Sequence, residues 1–590
     1  MTTSITPTSN RSAAFRRQDG FTMMVTLGVM LVTSLLLVAA FTSANSEIHL
    51  TATDRAQKKA YYAAEAGIEN YQYHLTQDGN YLTYCTTPTP ENKALNQYYK
   101  EGTGTPLQAS ELKTVEVPEV EGKSSEEKYA IQLVPAETAP TTDKKCDKNN
   151  LVTTMIEEKE GPAAGTFRIE STGFSGNEKR TLVATLRNAN FVSYVWYSVY
   201  ETGDPSLHGP VPTGDPATWW TECGNFYGVR PGRCSNFNNF FISGELVNGP
   251  MHTEDHVGIC GNPTFGRSKN DRIEFGNGNN KAAKEGYSNA GCPGGEAANP
   301  KFEGTQIPPS EDLQITPPPG DEELEHIVET SPTNYEYEGQ TEIILTGETM
   351  TVIKHKGNGK LGTPPEVEEK GVALPPNGVI YVSGAEEGSC VTYSPFGPTP
   401  KYTEGSACGN VYVHGEYSKA LTIAAQNDVI INGSVYPTSV AGKLGSEPTG
   451  NAMLGLIANN FVRVFHPLTG TRKAAEYRQC GSATNDTTTP PEDLKEPFIY
   501  AAILALKHSF IVDNFDCGTP TLKTLNVYGA IAGEFTNGMT GVFGSGNTAL
   551  SGYPYNLKYD NRLQAEEPPH FLNPLQAAWY IQRQTTAPSP

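Results

Sequence analysis

Charge is sparse in this sequence, and lopsided. Asp, Glu, Lys and Arg make up 18% of its 590 residues, against about 25% in ordinary globular chains. Basic residues are the scarcer kind: 44 Lys and Arg face 65 Asp and Glu, a formal net charge of −21. Such a chain has little with which to displace counterions from a phosphate backbone, so no nucleic acid partner is expected. Nor would its charge hold it on an anionic lipid surface. Long apolar runs are missing except for one, and a mean hydropathy of −0.44 excludes a multi-span transporter. No CxxC pair occurs, which removes the usual zinc-thiolate and dithiol redox spacings. A GxSxG nucleophile elbow and a Walker loop are absent too. No cofactor is expected. What the chain does hold in excess is 58 Gly and 43 Pro, too few for collagen and in too apolar a context for full disorder. The balance suits a turn-rich, mostly β protein.

The one apolar run covers residues 21–41, FTMMVTLGVMLVTSLLLVAAF, without charge or proline. As a helix it is about 31 Å long, the thickness of a bilayer's hydrocarbon core. Arg11, Arg16 and Arg17 precede it against the single acid Asp19. By the positive-inside rule the leader, residues 1–20, stays in the cytoplasm and the remainder is exported. The run is long for a signal peptide, and Thr42-Ser43-Ala44 is only a poor imitation of a cleavage site. No proline interrupts the chain between Pro7 and Pro88. Ala56, Ala60, Ala63, Ala64, Ile68, Tyr71 and Leu75 recur at spacings of three and four. One helix is therefore expected over residues 21–77, with its first part (21–41) in the membrane.

Gln18-Asp19-Gly20-Phe21-Thr22 ahead of that helix resembles the processing site of type IV prepilins. Ala60-Tyr61-Tyr62-Ala63-Ala64-Glu65-Ala66-Gly67-Ile68-Glu69 resembles the signature of PilX-type minor pilins. The resemblance covers about the first 75 residues. It implies that a prepilin peptidase cuts between Gly20 and Phe21 and methylates the new terminus. It implies membrane anchoring through the helix, then packing with other pilin subunits through such residues as Val25, Leu27, Met30, Leu35, Ala63, Ala64, Glu65 and Gly67. Pilins usually carry a glutamate five residues into the mature chain, where this sequence has Val25. That departure fits either a tip subunit, which lacks one neighbour, or family drift.

Residues 78–190 are assigned to a small antiparallel sheet packed on the helix. Thr166-Phe167-Arg168-Ile169 and Arg180-Thr181-Leu182-Val183 flank a glycine-containing turn, the pattern of a hairpin. Residues 191–590 form a large, mostly-β head, the whole being α+β. Short apolar segments such as Val411-Tyr412-Val413, Leu421-Thr422-Ile423, Val429-Ile430-Ile431 and Leu525-Asn526-Val527 end in Gly, Asn or Asp turns with no helices between. A right-handed parallel β-helix is expected, with a β-sandwich as the alternative. Residues 310–342, acidic, proline-rich and without Lys or Arg, are expected as an exposed insertion or linker.

All ten cysteines lie beyond the apolar run, on the exported side, so disulfides are expected. Spacing does not fix their pairing. The sequential arrangement, Cys85 with Cys146, Cys223 with Cys234, Cys260 with Cys292, Cys390 with Cys408 and Cys480 with Cys517, closes each loop locally. Candidates for chemistry are few. His252 and His256 are a weak metal pair, since Gly249-Pro250 and Gly258 around them point to a polar turn. Asp428 and Asp513 could act as an acid–base pair, or stand as turn residues. Gly276-Asn277-Gly278-Asn279-Asn280 lacks the lysine of a phosphate loop. Tyr194, Trp196, Tyr197, Trp219 and Trp220 could stack on sugar or pack as core.

The expected function is a minor, tip-located subunit of a type IV pilus or related filament. It would move from a single-pass position in the cytoplasmic membrane to the cell surface, prime assembly or bind a host, cell or surface ligand, and have no catalytic role. The alternatives are a membrane-anchored β-helix enzyme acting on polysaccharide and a pseudopilin of a secretion or DNA-uptake system.

Overall fold

The computed structural model describes residues 21–587 apart from internal stretches, of which 208–221, 355–366 and 394–404 are the longest. One unbroken helix runs from Phe21 to Gln77. Its second half buries Ala60, Ala63, Ala64, Ile68, Tyr71 and Leu75. Small residues on both sides let helix and sheet approach closely. A β-carbon on Gly173 would stand 2.0 Å from the Ala60 carbonyl oxygen, and one on Gly67 2.4 Å from Ser171 Oγ.

The sheet against this helix is ordered Leu95–Gln97, Lys128–Val134, Thr166–Ser175, Glu178–Asn188, Trp579–Thr586, with Val115–Glu116 also on Lys128–Val134; Leu95–Gln97 runs parallel to its neighbour, so the sheet is mixed rather than antiparallel throughout. The hairpin forms as its alternation implies, with Ser175 opposite Glu178. The last strand corrects the domain boundary. Trp579–Thr586 pairs antiparallel with Glu178–Asn188, so the head is inserted between neighbouring strands of the sheet rather than appended to it. Trp579 anchors the strand, its ring centroid 5.1 Å from that of Phe167. The rest lies on an exposed edge, so its polar residues read in sequence as a loose tail.

The head is mostly β and is organised by three parallel ladders. The first stacks Glu336–Glu338, Val379–Ser383, Leu421–Ala425, Leu454–Ala458, the later halves of Phe498–Ala505 and Leu525–Phe535, then Trp196–Tyr200, Met251–Thr253, Arg272–Phe275 and Thr305–Ile307. At about 4.8 Å per step this ladder is about 43 Å long. The second joins Thr341–Gly347, Val411–Tyr417, Val429–Pro437, Val462–Val464 and Phe510–Val512. The third takes the far halves of Val411–Tyr417 and Val429–Pro437, the early halves of Phe498–Ala505 and Leu525–Phe535, and Tyr555–Tyr559. Between residues 379 and 533 each circuit of the chain meets the ladders in the same order. Inward side chains stack in register: Ile423, Leu456, Ile503, Ile531, Trp196, Met251 and Ile273 form one buried row. Burial of each is worth about 1.5–3 kcal/mol.

The first ladder is out of sequence order. The chain enters at its middle with Trp196–Tyr200, builds to one end at Ile307, returns to the opposite end at Glu336, and fills inward until Leu525–Phe535 closes on Trp196–Tyr200. The acidic, proline-rich segment makes that return, which corrects its assignment as an exposed insertion. Tyr197 donates to the Ile315 carbonyl, and the Ile315 amide donates to Glu254 Oε1 at 2.5 Å. Asp321 accepts from Tyr381 Oη and Asn459 Nδ2 at 3.2 and 2.6 Å. The helix Glu322–Glu329 turns Leu324 and Val328 inward and leaves Glu322 and Glu323 exposed.

The segment leaving the head runs beside this strap, with the Leu575 amide on the Thr316 carbonyl at 2.9 Å and Thr422 Oγ1 on the Pro569 carbonyl at 2.5 Å. The two passes cover the outer side of the first ladder, so Ala424, Ile457, Leu504 and Ala532 are buried there as well. Cover on both faces explains why these strands are continuous apolar runs rather than alternating ones. At the opposite extreme, the strand Val367–Ala373 exposes Glu368, Glu369 and Lys370, charges that blunt a sheet edge. The cysteines are joined in five sequential pairs, 85–146, 223–234, 260–292, 390–408 and 480–517.

Candidate assembly surface

Among the described residues, the exposed large hydrophobic side chains concentrate on the first half of the long helix. Thr22–Ser43 is long and apolar enough to cross a membrane, and every residue in it is exposed, Val25, Leu27, Met30 and Leu35 included. Three of the polar side chains within it are turned back on the helix. Thr26, Thr33 and Thr42 donate to the carbonyls of Thr22, Val29 and Val38 at 2.9, 2.8 and 3.0 Å. Such bonds let a hydroxyl sit in hydrocarbon without an unmet donor. Phe21 opens the helix; Gly20 lies outside the described residues.

The lower half behaves differently from the sequence expectation. Ala63, Ala64 and Gly67 are buried against the chain's own sheet, and Glu65 is half-buried. Their small size serves the approach of Gly173, Ser171 and Tyr129, so this face is spent within the subunit.

The helix is also fixed to the head. Just past its end, the Asn80 side chain donates to the Glu567 carbonyl at 3.3 Å and accepts from the Glu567 amide at 3.0 Å. Asn190, where the chain leaves the sheet, donates to the Glu567 carboxylate and to Asn573 Oδ1. Burial, with Asp78 nearby, pushes the Glu567 carboxyl up to about 8, although the Asn190 bond opposes the shift.

The candidate chemical groups of the head are occupied structurally. Asp428 and Asp513 do not form an open carboxylate pair. Arg463 lies between them, with Nε 2.9 Å from Asp428 Oδ2 and Nη1 3.0 Å from Asp513 Oδ1, all three fully buried. The Tyr393 ring covers the guanidinium at 4.1 Å. Arg463 went unremarked in the sequence, yet a lone cation inside Phe461-Val462-Arg463-Val464-Phe465 is a signal for such a site.

His252 sits on a strand rather than in a polar turn. Its ring nitrogens lie 2.8 Å from Glu274 Oε2 and 3.1 Å from Glu254 Oε1, and the ring stacks on Tyr197. Burial opposes the Glu274 charge, but His252 and Arg272 hold its pKa down at about 2. His256 is buried too, with its amide on Asp255 Oδ1 at 2.7 Å. The two carboxylates on His252 commit it to this network rather than to a ligand pair with His256. Gly276 packs on the Glu254 backbone, while 278–280 lie outside the described residues. Tyr194, Trp196 and Tyr197 belong to the buried core; Trp219 and Trp220 lie outside the described residues.

No family profile matches the chain, and no curated protein matches it. Among solved structures it is similar to the competence-associated pilin ComZ from Thermus thermophilus. That alignment covers 90% of this chain and 97% of the other, at 12% identity and a TM-score of 0.25. So loose a likeness leaves the reading to rest on this chain's own residues.

Proposed function

We propose that the chain is a minor, PilX-like pilin, carried in few copies at or near the tip of a type IV pilus or related filament. The observation that carries the reading is the single helix Phe21–Gln77, apolar and exposed in its first half and packed on the chain's own sheet in its second. A helix so divided has one surface for lipid or neighbouring helices and one for its own domain. Prepilin peptidase would cut between Gly20 and Phe21. The leader would be removed on the cytoplasmic side, and the helix would hold the subunit in the membrane until it passes into the filament and to the cell surface. Val25 removes a buried carboxylate from the membrane stage at no energetic cost.

The head is best read as a parallel β-helix. Three parallel ladders met in constant order on each circuit support this over a sandwich, whose sheets are antiparallel. Its bulk would clash if repeated at every step of a tightly packed filament, which favours few copies. Its role is assembly priming or adhesion to a cell or surface, and not catalysis: Asp428 and Asp513 are taken up by Arg463. The mature N-terminus, read by mass spectrometry, tests the proposal. Methylated Phe21 is expected, and Gly20→Ala should leave the leader attached. An intact Met1 in the wild type, or a cut after Ala44, overturns it.

A further inference from the structure

The buried apolar residues of the helix and sheet form one cluster, from Ala64 to Leu186 with Ala565 and Trp579, and those of the head form another, from Phe191 onward. No residue belongs to both. Each part thus has a core of its own, the condition under which two parts of a chain move as separate bodies. Both links between them leave one corner of the sheet. Asn188, where the chain goes out, is paired with Trp579, where it comes back. Gln72 Nε2 donates to the Trp579 carbonyl at 3.2 Å, which holds that corner on the helix. Paired residues of neighbouring strands lie about 5 Å apart, so the two links make a hinge rather than a brace. Half-buried Tyr580 packs on the head's cluster beside it.

A tongue of the head reaches back across this corner. Leu563 and Phe571 lie in the head's cluster, but between them Ala565 is buried in the cluster of the sheet. The short helix Asn561–Gln564 rests on Leu151–Met155 of the sheet side. Two residues past Ala565, the Glu567 carbonyl accepts from Asn80 Nδ2 at 3.3 Å and the Glu567 amide donates to Asn80 Oδ1 at 3.0 Å. Asn80 follows the end of the long helix, so these bonds tie head to helix. Asn190, in the outgoing link, donates to the Glu567 carboxylate and to Asn573 Oδ1, the latter at 3.0 Å. Beside the tongue the two parts are not close-packed. An open pocket lies between Gly165, Arg187 and Asn188 on one side and Asn270 and Arg272 on the other.

We infer that residues 561–571 are a latch, and that on its release the head swings about the paired strand ends Asn188 and Trp579 with both cores intact. Release breaks little. Ala565 enters the sheet's cluster by a single methyl group, and the bonds to Asn80 are exchanged for bonds to water. The strand Trp579–Thr586 keeps its place in the sheet, and the helix keeps its place in lipid or among other helices. Only the direction in which the head faces changes, a hinge motion of the kind that a few residues at element ends absorb. The hinge belongs to the chain itself and operates whether or not the helix enters a filament.

The test measures a distance across the hinge in the full chain in detergent. The native cysteines are joined in disulfides, so spin labels go to two introduced ones, Lys179→Cys on the sheet and Lys301→Cys on the head, both at exposed positions. Pulsed electron resonance should give one narrow distance distribution in this background. Adding Asn80→Ala and Ala565→Asp removes the bonds to the Glu567 backbone and sets a carboxylate in place of the methyl group. The distribution should then widen at least about twofold; Asn80→Ala alone should widen it less. Amide exchange in residues 168–174 of the sheet and 421–425 of the head should stay at the background rate, since both cores remain. A distribution that stays narrow with both substitutions overturns the inference, because sheet and head are then one body. A distribution already wide in the background does so too, because nothing is latched. So does widening with faster exchange in either segment, because a core has then come apart in place of the hinge opening.

Discussion

Tyr197 stands beside Ala532 in the first ladder, although one lies on that ladder's earliest strand in sequence and the other on its latest. This pairing closes the head. The two runs do not meet until Leu525–Phe535 has been laid down, more than 300 residues after Trp196–Tyr200, so the two runs should lose structure together. Ala532 is buried on the outer side of that ladder, where a carboxylate would have no water. Ala532→Asp should cost about 3 kcal/mol or more. Hydrogen exchange should then accelerate both in residues 196–200 and in 498–505. Acceleration confined to 525–535 would show that the two runs are independent.

The approach of helix and sheet makes a second prediction. A β-carbon at Gly173 would meet the Ala60 carbonyl oxygen at 2.0 Å and the Ala64 amide nitrogen at 2.4 Å. Both are backbone atoms and cannot swing aside. Gly173→Ala should therefore displace the lower half of the helix and destabilise the sheet by about 1–3 kcal/mol. Gly176→Ala, in the adjoining turn with open space around the added carbon but φ at +56°, should cost about 1 kcal/mol. Thermal melting of the two variants compares them; a Tm for Gly173→Ala at or above that of Gly176→Ala would refute the close-packing argument.

Much of this arrangement was legible from local pattern. The absence of proline between Pro7 and Pro88 marked the helix, and the apolar segments from 411 to 533 fall on strands. Partner choice was not legible. Alternation says that a segment is a strand but not which strand lies beside it, so the junction of Leu525–Phe535 with Trp196–Tyr200 left no local trace. The strand Trp579–Thr586 was hidden for a related reason: only Trp579 is fully buried, with Ile581 partly covered, and an edge strand tolerates Arg583 and Gln584. In the strap, Leu324 and Val328 are too few to outweigh the surrounding acids in a composition count. The anchoring helix was readable because one property, unbroken apolarity, decides it. The Arg463 and Arg272 networks depend on residues far apart in sequence.

Glu567 should make stability depend on pH. Its carboxyl ordinarily titrates near 4.5 and is pushed up to about 8, chiefly by burial. Between those values the folded chain holds a proton that the unfolded chain releases, so the contribution is complete below about pH 4.5 and is lost as pH rises through 8. The slope for one proton is at most about 1.4 kcal/mol per pH unit. Glu534 and Glu566, raised to about 7 mainly by burial, act in the same direction. The difference between wild type and Glu567→Gln therefore isolates this group. Chemical denaturation from pH 5 to 8 should show a shallower decline in the variant; parallel curves would mean that Glu567 is ionised in the folded state.

Arg463 offers the sharpest separation of cause from effect. Its guanidinium is enclosed with Asp428 and Asp513, all without exposure. Removing the cation alone leaves two carboxylates in an apolar surround, at a cost of about 3–5 kcal/mol. Arg463→Met should thus lower stability by about that much, although methionine fills much of the same volume. Adding Asp428→Asn and Asp513→Asn removes the unpaired charges. The triple variant should regain most of the loss, because a buried ion cluster contributes little beyond what neutral groups of similar shape supply. Asp428 Oδ1 also accepts the Phe461 amide at 3.0 Å, a bond that the asparagine oxygen can keep. Guanidinium denaturation of the three proteins reads the outcome. A triple variant no more stable than Arg463→Met would show that the cluster's hydrogen-bond geometry, rather than charge balance, holds the second ladder's outer face.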